Sequence, residues 1–449
     1  MKKIYALLLA AGIGGQLFAG GIVTNTNQSA QWVRLLSRNA STQIDAVYFN
    51  PAGLVRMDDG FHFSLHNQTI FQEKTVTSTF PTLNTDTYTG DVKVPIYPSF
   101  FGVYKKEKLA ISFGFGINGG GGSAEFSKGL PSFEMPYSML PGLVSSFGIP
   151  TTAYSTDIYF KGSSIYWGAQ LGGSYAINDM LAVSAGARLI IAKNSYEGTL
   201  ENVMINPTHP LVNPTGAMMS ASAFFTAIGQ PGYAAMTSNM VVDATQSGTG
   251  VTPFFGINLN LNDKLNIGIK YEMNTKLELT NESEPGKDAN GMFLNDSTFR
   301  SDIPAILAIG AEYSVMEKLR VSASYNLYFD KNADWNGRED FVDDNLFEIA
   351  FGAEYDVTDK ILVSAGYLIG KTGVNQAFQT DIDFSLSSNT IGFGGCYKFS
   401  EKLSVDLGVL FTSYKDASSD KTYPAPPIPY TETYDQTTTD IAIGVNYKF

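Results

Sequence analysis

The sequence predicts an all-β protein, a 14-stranded antiparallel transmembrane β-barrel with an N-terminal hatch (plug) domain in its lumen. Three observations lead there. Segments of about ten residues alternate between apolar and polar side chains, as barrel strands do. Short polar turns alternate with long segments as the connections between them. A stretch of about forty residues ahead of the first such segment does not alternate, and a barrel of this width has an interior to fill.

The chain begins with features of a secretory signal peptide, which we assign to residues 1–19. Lys2 and Lys3 form a basic start, an apolar run covers residues 4–17, and Ala19 precedes Gly20, the expected mature N-terminus. Beyond this segment no run of about 18 apolar residues is present, so no transmembrane helix is predicted. The single cysteine, Cys396, has no second cysteine with which to form an intramolecular disulfide.

Residues 20–59 are expected to form the hatch. Residues 32–36 suit a short helix, and Asn50, Pro51 and Ala52 begin a turn with an apolar shoulder. Pro51 cannot donate a hydrogen bond to a sheet ladder, so this turn is not part of a barrel strand. A plain linker is the alternative. The stretch lies before the first strand, and from there it can fold back into the lumen.

The strand pattern occupies residues 60–449. Between 265 and 273 the apolar side chains are Leu265, Ile267, Ile269, Tyr271 and Met273, and the residues between them are polar or small. Successive side chains of a strand point to opposite faces, so one set faces lipid and the other the lumen. The apolar set is expected to face outward.

Six short polar turns, near 105–107, 178–179, 262–263, 316–317, 358–359 and 400–401, pair twelve of the segments as hairpins. One strand precedes them at 61–65 and one follows at 441–449, which gives fourteen. The other ends are joined by long segments, of which 118–162 and 195–250 are the longest. Short turns on one side and long loops on the other are typical of outer-membrane barrels. A soluble β-propeller or β-helix is the alternative, but no blade period or short repeat is present.

Composition excludes several function classes. The net charge of -13 argues against nucleic acid as a partner. The three histidines are not spaced for a metal site, and no serine, histidine and acid stand in a spacing that suggests hydrolysis. The sequence therefore predicts no enzyme activity, no metal and no cofactor.

The two longest loops are unusually apolar and contain seven of the 13 methionines. Flexible methionines and large apolar patches suit binding of varied hydrophobic ligands. Packing of the loops on each other as a lid core is the other interpretation, and the two are compatible. The candidate ligand-binding residues here are Phe133, Met135, Met139, Met218, Met219, Phe224 and Phe225.

Arg188 and Lys270 lie near mid-strand on the lumenal set. Ionisable groups at membrane depth are costly unless they face a cavity or pair with another charge, so they are functional candidates. Arginine suits bidentate recognition of a carboxylate. The alternative is pairing with Glu272, Glu348, Asp406 or the hatch, for stability alone.

Together, the signal peptide, the residues from Tyr48 to Leu54, the fourteen-strand pattern and the terminal aromatic Phe449 resemble the FadL-type (OmpP1/FadL/TodX) long-chain fatty acid transporter family. The resemblance implies a monomeric barrel in the bacterial outer membrane, in contact with outer-membrane lipid. It also implies passive uptake of hydrophobic small molecules. Ligand is expected to be caught in outer loops, held in a lumenal pocket at the hatch and released sideways through the wall.

The resemblance also assigns roles to residues. It makes Asn50, Pro51 and Ala52 the hatch motif, and Phe449 the signal read by the barrel-assembly machinery. The family's lateral opening lies at a kink in the third strand, where this chain has a run of candidate gate residues, Gly119, Gly120, Gly121 and Gly122. Some members resemble secretion-system shuttles instead, and the alternative function is therefore the binding of a cargo protein through the outer loops.

Overall fold

A computed structural model describes residues 22–288 and 291–449. The predicted signal peptide lies outside the described residues. The strand segments are β1 (Gly60–Ser78), β2 (Thr87–Lys106), β3 (Leu109–Phe126), β4 (Tyr154–Ala176), β5 (Leu181–Ile205), β6 (Met219–Ser220), β7 (Met240–Asn262), β8 (Leu265–Glu272), β9 (Glu278–Asp288), β10 (Thr298–Arg300), β11 (Ile306–Met316), β12 (Leu319–Tyr328), β13 (Phe347–Asp356), β14 (Ile361–Lys371), β15 (Ser388–Lys398), β16 (Leu403–Tyr414), β17 (Ala417–Pro424) and β18 (Pro427–Lys448).

These segments form a closed antiparallel barrel, because β1 pairs with both β2 and β18. Fourteen of them cross the barrel, while β6, β9, β10 and β17 belong to extensions of neighbouring strands on the side of the long loops. The predicted fold class is confirmed. The segments 118–162 and 195–250 are shorter as loops than expected, at 127–153 and 206–239, because the flanking strands continue well past the apolar zone.

The wall alternates as a barrel wall should. In β14 every second side chain is buried, and the side chains between them are exposed. Large apolar residues point outward all around the barrel, among them Leu65, Leu171, Phe255, Phe351 and Ile443. The lumenal face carries the buried charged and polar side chains, together with apolar residues such as Leu368 and Phe101 that pack against the hatch.

Six helices are present in the described ranges: α1 (Ala30–Leu35), α2 (Ala46–Phe49), α3 (Pro131–Ser138), α4 (Leu140–Ser146), α5 (Ala221–Ala227) and α6 (Pro231–Met236). Helix α1 begins at Ser29, whose hydroxyl accepts a hydrogen bond from the Trp32 amide at 3.0 Å. A 3-10 helix, Pro51–Arg56, follows α2. None of the helices described here has the length and apolar character needed to cross a membrane.

Residues 22–59 lie inside the barrel, where α1, α2 and the 3-10 helix form a buried apolar core with the wall. Glycines in the wall allow the hatch backbone to approach closely. A Cβ at Gly366 would collide with the Leu35 carbonyl oxygen, and one at Gly352 would lie 2.6 Å from the Leu35 Cδ1. Gly268, Gly310, Gly392 and Gly408 meet other hatch atoms in the same way. The hatch is therefore seated on a track of glycines across the lumenal wall.

Buried charges fix the hatch as well. Arg34 on α1 pairs with Glu354 at 2.5 Å and with Asp406 at 2.9 Å, both on the wall. Within the hatch, Arg38 donates to both carboxylate oxygens of Asp45 at 2.7 and 2.8 Å. Removal of one partner from such a pair strongly destabilises the folded protein, because the other charge is then left buried and uncompensated.

Candidate functional site

An apolar cavity lies under the outer loops. Helix α3 covers one side, the outer ends of β4 and β5 form the floor, and Met240, Met292 and Phe293 close the other side. Of the predicted loop residues, Phe133 lines this cavity, and Met135 is buried at 2 % exposure. Met139 lies at the junction of α3 and α4 and is half-buried. The apolar lining suits a small hydrophobic molecule.

The other predicted loop residues lie elsewhere. Phe224 and Phe225 on α5 are both fully buried, in a core that includes α6 and the outer part of β5. Met219 packs against that core, and Met218 is 42 % exposed. Tyr137, Leu140 and Val144 of the other long loop belong to the same core, so the two loops pack on each other in the lid-core arrangement. The structure brings Phe133, but none of these four residues, to the apolar cavity.

A polar cavity adjoins the apolar one and shares Ile158, Tyr159 and Thr199 with it. Glu134 lines the polar cavity. Its carboxylate accepts hydrogen bonds from Tyr88 and Tyr154, both at 2.6 Å. The two tyrosines satisfy this buried carboxylate, so α3 is held in place over the outer ends of β2 and β4.

Arg188 and Lys270 meet at the hatch. Both oxygens of Glu272 accept from Arg188, at 2.8 and 2.9 Å, and Lys270 donates to the same carboxylate at 2.7 Å. Lys270 also donates to the Tyr48 carbonyl at 2.6 Å. The guanidinium and the ammonium lie 4.8 and 4.3 Å from the Tyr48 ring centroid. Two cations share one carboxylate here, so the cluster carries one uncompensated positive charge.

The motif residues orient the hatch against the wall. The Asn50 amide donates to the Ser41 carbonyl at 2.9 Å and to Asn258 on β7 at 2.7 Å. Pro51 begins the 3-10 helix, and its carbonyl accepts a hydrogen bond from Ser174 on β4. Ala52 is fully buried. These three residues join the hatch backbone to two wall strands, and each is closed off from solvent.

The barrel wall has a gap between β2 and β3. The two strands pair up to Val92 and Ala124 and again from Ser99 and Gly116, but residues 93–98 and 117–123 have no partner in that ladder. This interrupts roughly 20 Å of strand at about 3.3 Å per residue. On its other side β3 stays paired with β4 through two register shifts. Strand β3 therefore bends away from β2 while it remains attached to β4.

The predicted gate glycines lie inside this bend, within β3, although the sequence placed residues from 118 onward in a long loop. Gly120 and Gly121 have φ of 62° and 117°, values that side chains other than glycine rarely adopt. Both lie in β3, which continues to Phe126. A Cβ at Gly121 would also meet the Tyr97 ring of β2. These two glycines permit the bend, and Gly119 and Gly122 flank them.

In this stretch the hatch replaces the backbone of β2 as a hydrogen-bond partner of β3. The backbone N–H of Asn25 donates to the Asn118 carbonyl at 2.9 Å, and the side-chain amide of Asn25 donates to the Gly120 carbonyl at 2.5 Å. The Gln28 side chain donates to the Ile117 carbonyl at 2.7 Å. Backbone groups at membrane depth need a partner inside the protein. Residues 22–29 supply it and cover the gap from the lumen.

Sequence reasoning missed the contribution of β2 and of residues 22–29 to this gap. One signal was available. Pro95 and Pro98 lie within β2, and proline cannot donate to a ladder, so it is confined to strand edges, strand starts and bulges. Two prolines three residues apart in an apparent wall strand indicate a local loss of pairing.

Ser64 and His66 are 2.5 Å apart in the lumen. The second ring nitrogen of His66, Nδ1, faces the Ala30 amide at 3.4 Å and accepts from it. The proton is then on Nε2, which donates to Ser64, so His66 cannot act as a base toward that hydroxyl. Ser64 in turn donates to Asn446 at 2.7 Å. Within the described ranges no group of three His, Cys, Asp or Glu side chains could hold a metal ion.

Comparisons with known proteins place this arrangement in context. The model of a family described as "Outer membrane protein transport protein (OMPP1/FadL/TodX)" matches residues 153–449. No curated protein sequence matches the chain.

Three solved structures share the fold. A Pseudomonas aeruginosa FadL homologue is 14 % identical, with a TM-score of 0.66 over 96 % of this chain and 100 % of its own. The P. putida toluene transporter TodX is 15 % identical, with a TM-score of 0.57 over 91 % and 95 % of the two chains. The Ralstonia pickettii toluene transporter TbuX is 16 % identical, with a TM-score of 0.53 over 91 % and 94 %.

Proposed function

Because the chain belongs to the OMPP1/FadL/TodX family of outer-membrane transport proteins, we propose that it takes up long-chain fatty acids or similar hydrophobic small molecules passively. The protein is a β-barrel of the bacterial outer membrane. Ligand is captured under the outer loops, passes to a lumenal pocket at the hatch and leaves sideways through the gap between β2 and β3.

The gap is the observation that carries the proposal. Residues 93–98 and 117–123 are unpaired with each other, so at this level two strands of the wall are not joined by a ladder. A closed ladder would have to break several backbone hydrogen bonds to let a molecule pass, and each broken group would be costly within the membrane. Here three carbonyls of β3 are bonded to Asn25 and Gln28 of the hatch instead. Sideways release therefore requires residues 22–29 to move away from the gap, while the ladders of the wall stay intact.

The fixed hatch supports the same route. Arg34 bonds to two wall carboxylates, and Leu35 lies directly on Gly352 and Gly366. Withdrawal of the hatch toward the periplasm would expose these buried charges without their partners. Exit through the wall leaves all of these contacts in place.

The apolar outer cavity is the proposed capture site. Phe133, Met240 and Phe293 are among its lining residues, and an apolar lining of this kind is typical of pockets for hydrophobic ligands. The residues Met135, Met139, Met218, Met219, Phe224 and Phe225 then support the loops around the cavity.

The cluster of Arg188, Lys270 and Glu272 is the proposed anchor for a ligand carboxylate. Its single excess positive charge is buried beside Tyr48, where a bound carboxylate would compensate it. A fatty acid supplies that group, whereas toluene, the ligand named for two of the structural relatives, does not. The charge balance favours the fatty acid.

Native mass spectrometry with lipid extraction tests this proposal. Protein purified in a detergent unlike any cellular lipid is expected to retain a stoichiometric hydrophobic molecule. The triple variant R188Q/K270M/E272Q removes all three charges without leaving one unpaired, and it is expected to lose carboxylate ligands. E272Q alone leaves both cations uncompensated and is expected to hold a carboxylate more tightly.

R320Q serves as the matched control, because Arg320 is a lumen-side arginine outside the cluster, paired with Asp356 at 2.6 Å. Each variant must show the heat-dependent gel mobility of a folded barrel. Equal carboxylate binding in the triple variant and the wild type would contradict the proposed carboxylate anchor but not the uptake function. A barrel without ligand that instead co-purifies with a secreted protein would contradict the uptake function and favour the cargo-binding alternative.

A further inference from the structure

Asp440 is a buried carboxylate in the lumen with no charged partner. It lies on β18 and is 1 % exposed. Neither oxygen has a hydrogen bond of good geometry within the described part of the chain, and no Lys, Arg or His there forms an ion pair with it. The side-chain amide of Asn27 in the hatch faces Asp440, and the Tyr97 hydroxyl also lies near it. A buried carboxylate in this situation is costly unless it takes up a proton or another group binds to it.

The side chains around Asp440 are already bonded to each other. Below it, Gln68 on β1 exchanges hydrogen bonds with the side chain and the carbonyl of Asn27, at 2.9 and 2.6 Å. Above it, Gln72 donates to Thr438 at 3.0 Å. The Asn27 side-chain oxygen is also buried without a hydrogen-bond partner in the described chain. This region thus offers acceptor oxygens, because the amide groups of Gln68 and Gln72 donate to other partners.

Asp440 lies at the level of the wall gap. It stands opposite Ile70 of β1, and Ile70 stands opposite Val94 of β2. Val94 is in the stretch of β2 that has no pairing with β3. A molecule that moves from the lumen to the gap therefore passes two strands away from this carboxylate.

We propose that Asp440, with the Asn27 side-chain oxygen, is a binding subsite for a hydrogen-bond donor, a hydroxyl or ammonium group, on a hydrophobic molecule in transit to the gap. The inference rests on the proposed channel function and adds a second polar subsite to it. Excess positive charge at Arg188 and Lys270 attracts a carboxylate, whereas ionised Asp440 repels one and binds a cation or another hydrogen-bond donor. The two subsites therefore select for different polar groups.

Four probes that share a twelve-carbon chain test the subsite: dodecane, dodecan-1-ol, dodecylammonium and laurate. Occupancy of the full-length protein is measured for each by native mass spectrometry. The wild type is expected to bind dodecylammonium and dodecanol more tightly than dodecane. D440N keeps the shape of the side chain and removes its charge, and it should lower the ammonium affinity roughly tenfold or more, since a charge-assisted hydrogen bond is lost.

D440N should leave dodecane binding within about twofold of the wild type, because no hydrogen bond to dodecane exists to be lost. D420N is the matched control, since Asp420 is exposed on β17, and it should change no affinity. A wild type that binds dodecane but shows no preference for donor-bearing probes overturns the subsite alone, whether or not D440N folds. Equal loss of dodecane and ammonium in folded D440N also overturns it. Failure of all four probes to bind the wild type contradicts the channel function itself.

Discussion

Tyr97 donates its phenolic hydrogen to the carbonyl of Ile117, 2.7 Å away, across the stretch where β2 and β3 no longer pair. The Asn25 side chain donates to the same phenolic oxygen at 2.9 Å. One buried side chain thus joins both edges of the gap and the hatch. Tyr97 is fully buried, and its ring packs with Ile70, Val94 and Ile117.

Replacement of Tyr97 by Phe is expected to ease opening of the gap. The ring stays and only the hydroxyl is lost, so about 0.5–1.5 kcal/mol of net stabilisation disappears. That corresponds to a roughly two- to tenfold larger open population, and uptake of a fluorescent fatty acid into proteoliposomes should rise accordingly. Y104F is the control, because Tyr104 lies in the same strand outside the gap. An unchanged uptake rate in folded Y97F would show that this hydrogen bond does not hold the gap closed.

Replacement of Gly366 by Ala should loosen the hatch. Its Cβ would overlap the Leu35 carbonyl oxygen, and overpacking of this kind costs about 1–3 kcal/mol. Limited proteolysis should then cut residues 22–59 faster than in the wild type. G173A is the control. An added Cβ at Gly173 in β4 would have no atom within 4 Å, so this variant measures the general effect of adding a methyl group to a strand. The same cleavage rate in both variants would contradict tight seating of the hatch on the glycine track.

The loop from Phe329 to Leu346 should depend on pH through Asp330. Burial raises the pKa of this carboxyl to about 7, and the hydrogen bond from the Leu346 amide offsets only part of the effect. The unfolded loop ionises near the ordinary value of 3.8, so the anchoring is complete below about pH 4. The anchoring weakens as the pH rises to about 7 and stays weak above that. The total loss of anchoring free energy is at most about 4 kcal/mol.

Hydrogen exchange of this loop measures the effect. The wild type should exchange faster at pH 8 than at pH 5 once the intrinsic rate is corrected. D330N should remove the difference in exchange rate, because the amide is neutral at both pH values. D340N, the control, alters an exposed carboxylate in the same loop and should retain that difference. A wild-type loop with equal protection at both values would argue that Asp330 titrates in its ordinary range.

Replacement of Thr199 by Trp should obstruct capture. Thr199 lines both the apolar and the polar cavity, so an indole there would fill the wall that they share. The concentration of ligand needed for half-maximal uptake should rise roughly tenfold, which is about 1.4 kcal/mol of binding. The maximal rate should stay the same, since the gap is untouched. Thr226 is exposed on α5, and T226W should have no effect. A lower maximal rate without a change in half-saturation would place capture elsewhere.

The site was partly predictable. Arg188 and Lys270 could be identified because a charge at mid-strand on the lumenal face is unusual, and Phe133 because it lies in an apolar loop. Their partners were harder to foresee. Glu272 was one of several possible partners for Arg188, and the choice among them depended on which strands become neighbours. The Tyr48 carbonyl, which binds Lys270, carries no sequence signal at all.

The sequence by itself determined the barrel, its fourteen strands and the direction in which the side chains face. These properties follow from local chemistry, because alternation has a period of two and a polar turn joins only adjacent strands. Only the tertiary structure decided which residues close the gap and which charge stays uncompensated. Tyr97, Ile117 and Asn25, and likewise Asp440 and Asn27, are far apart in the chain. Their contacts depend on how the barrel closes and on how the hatch is seated within it.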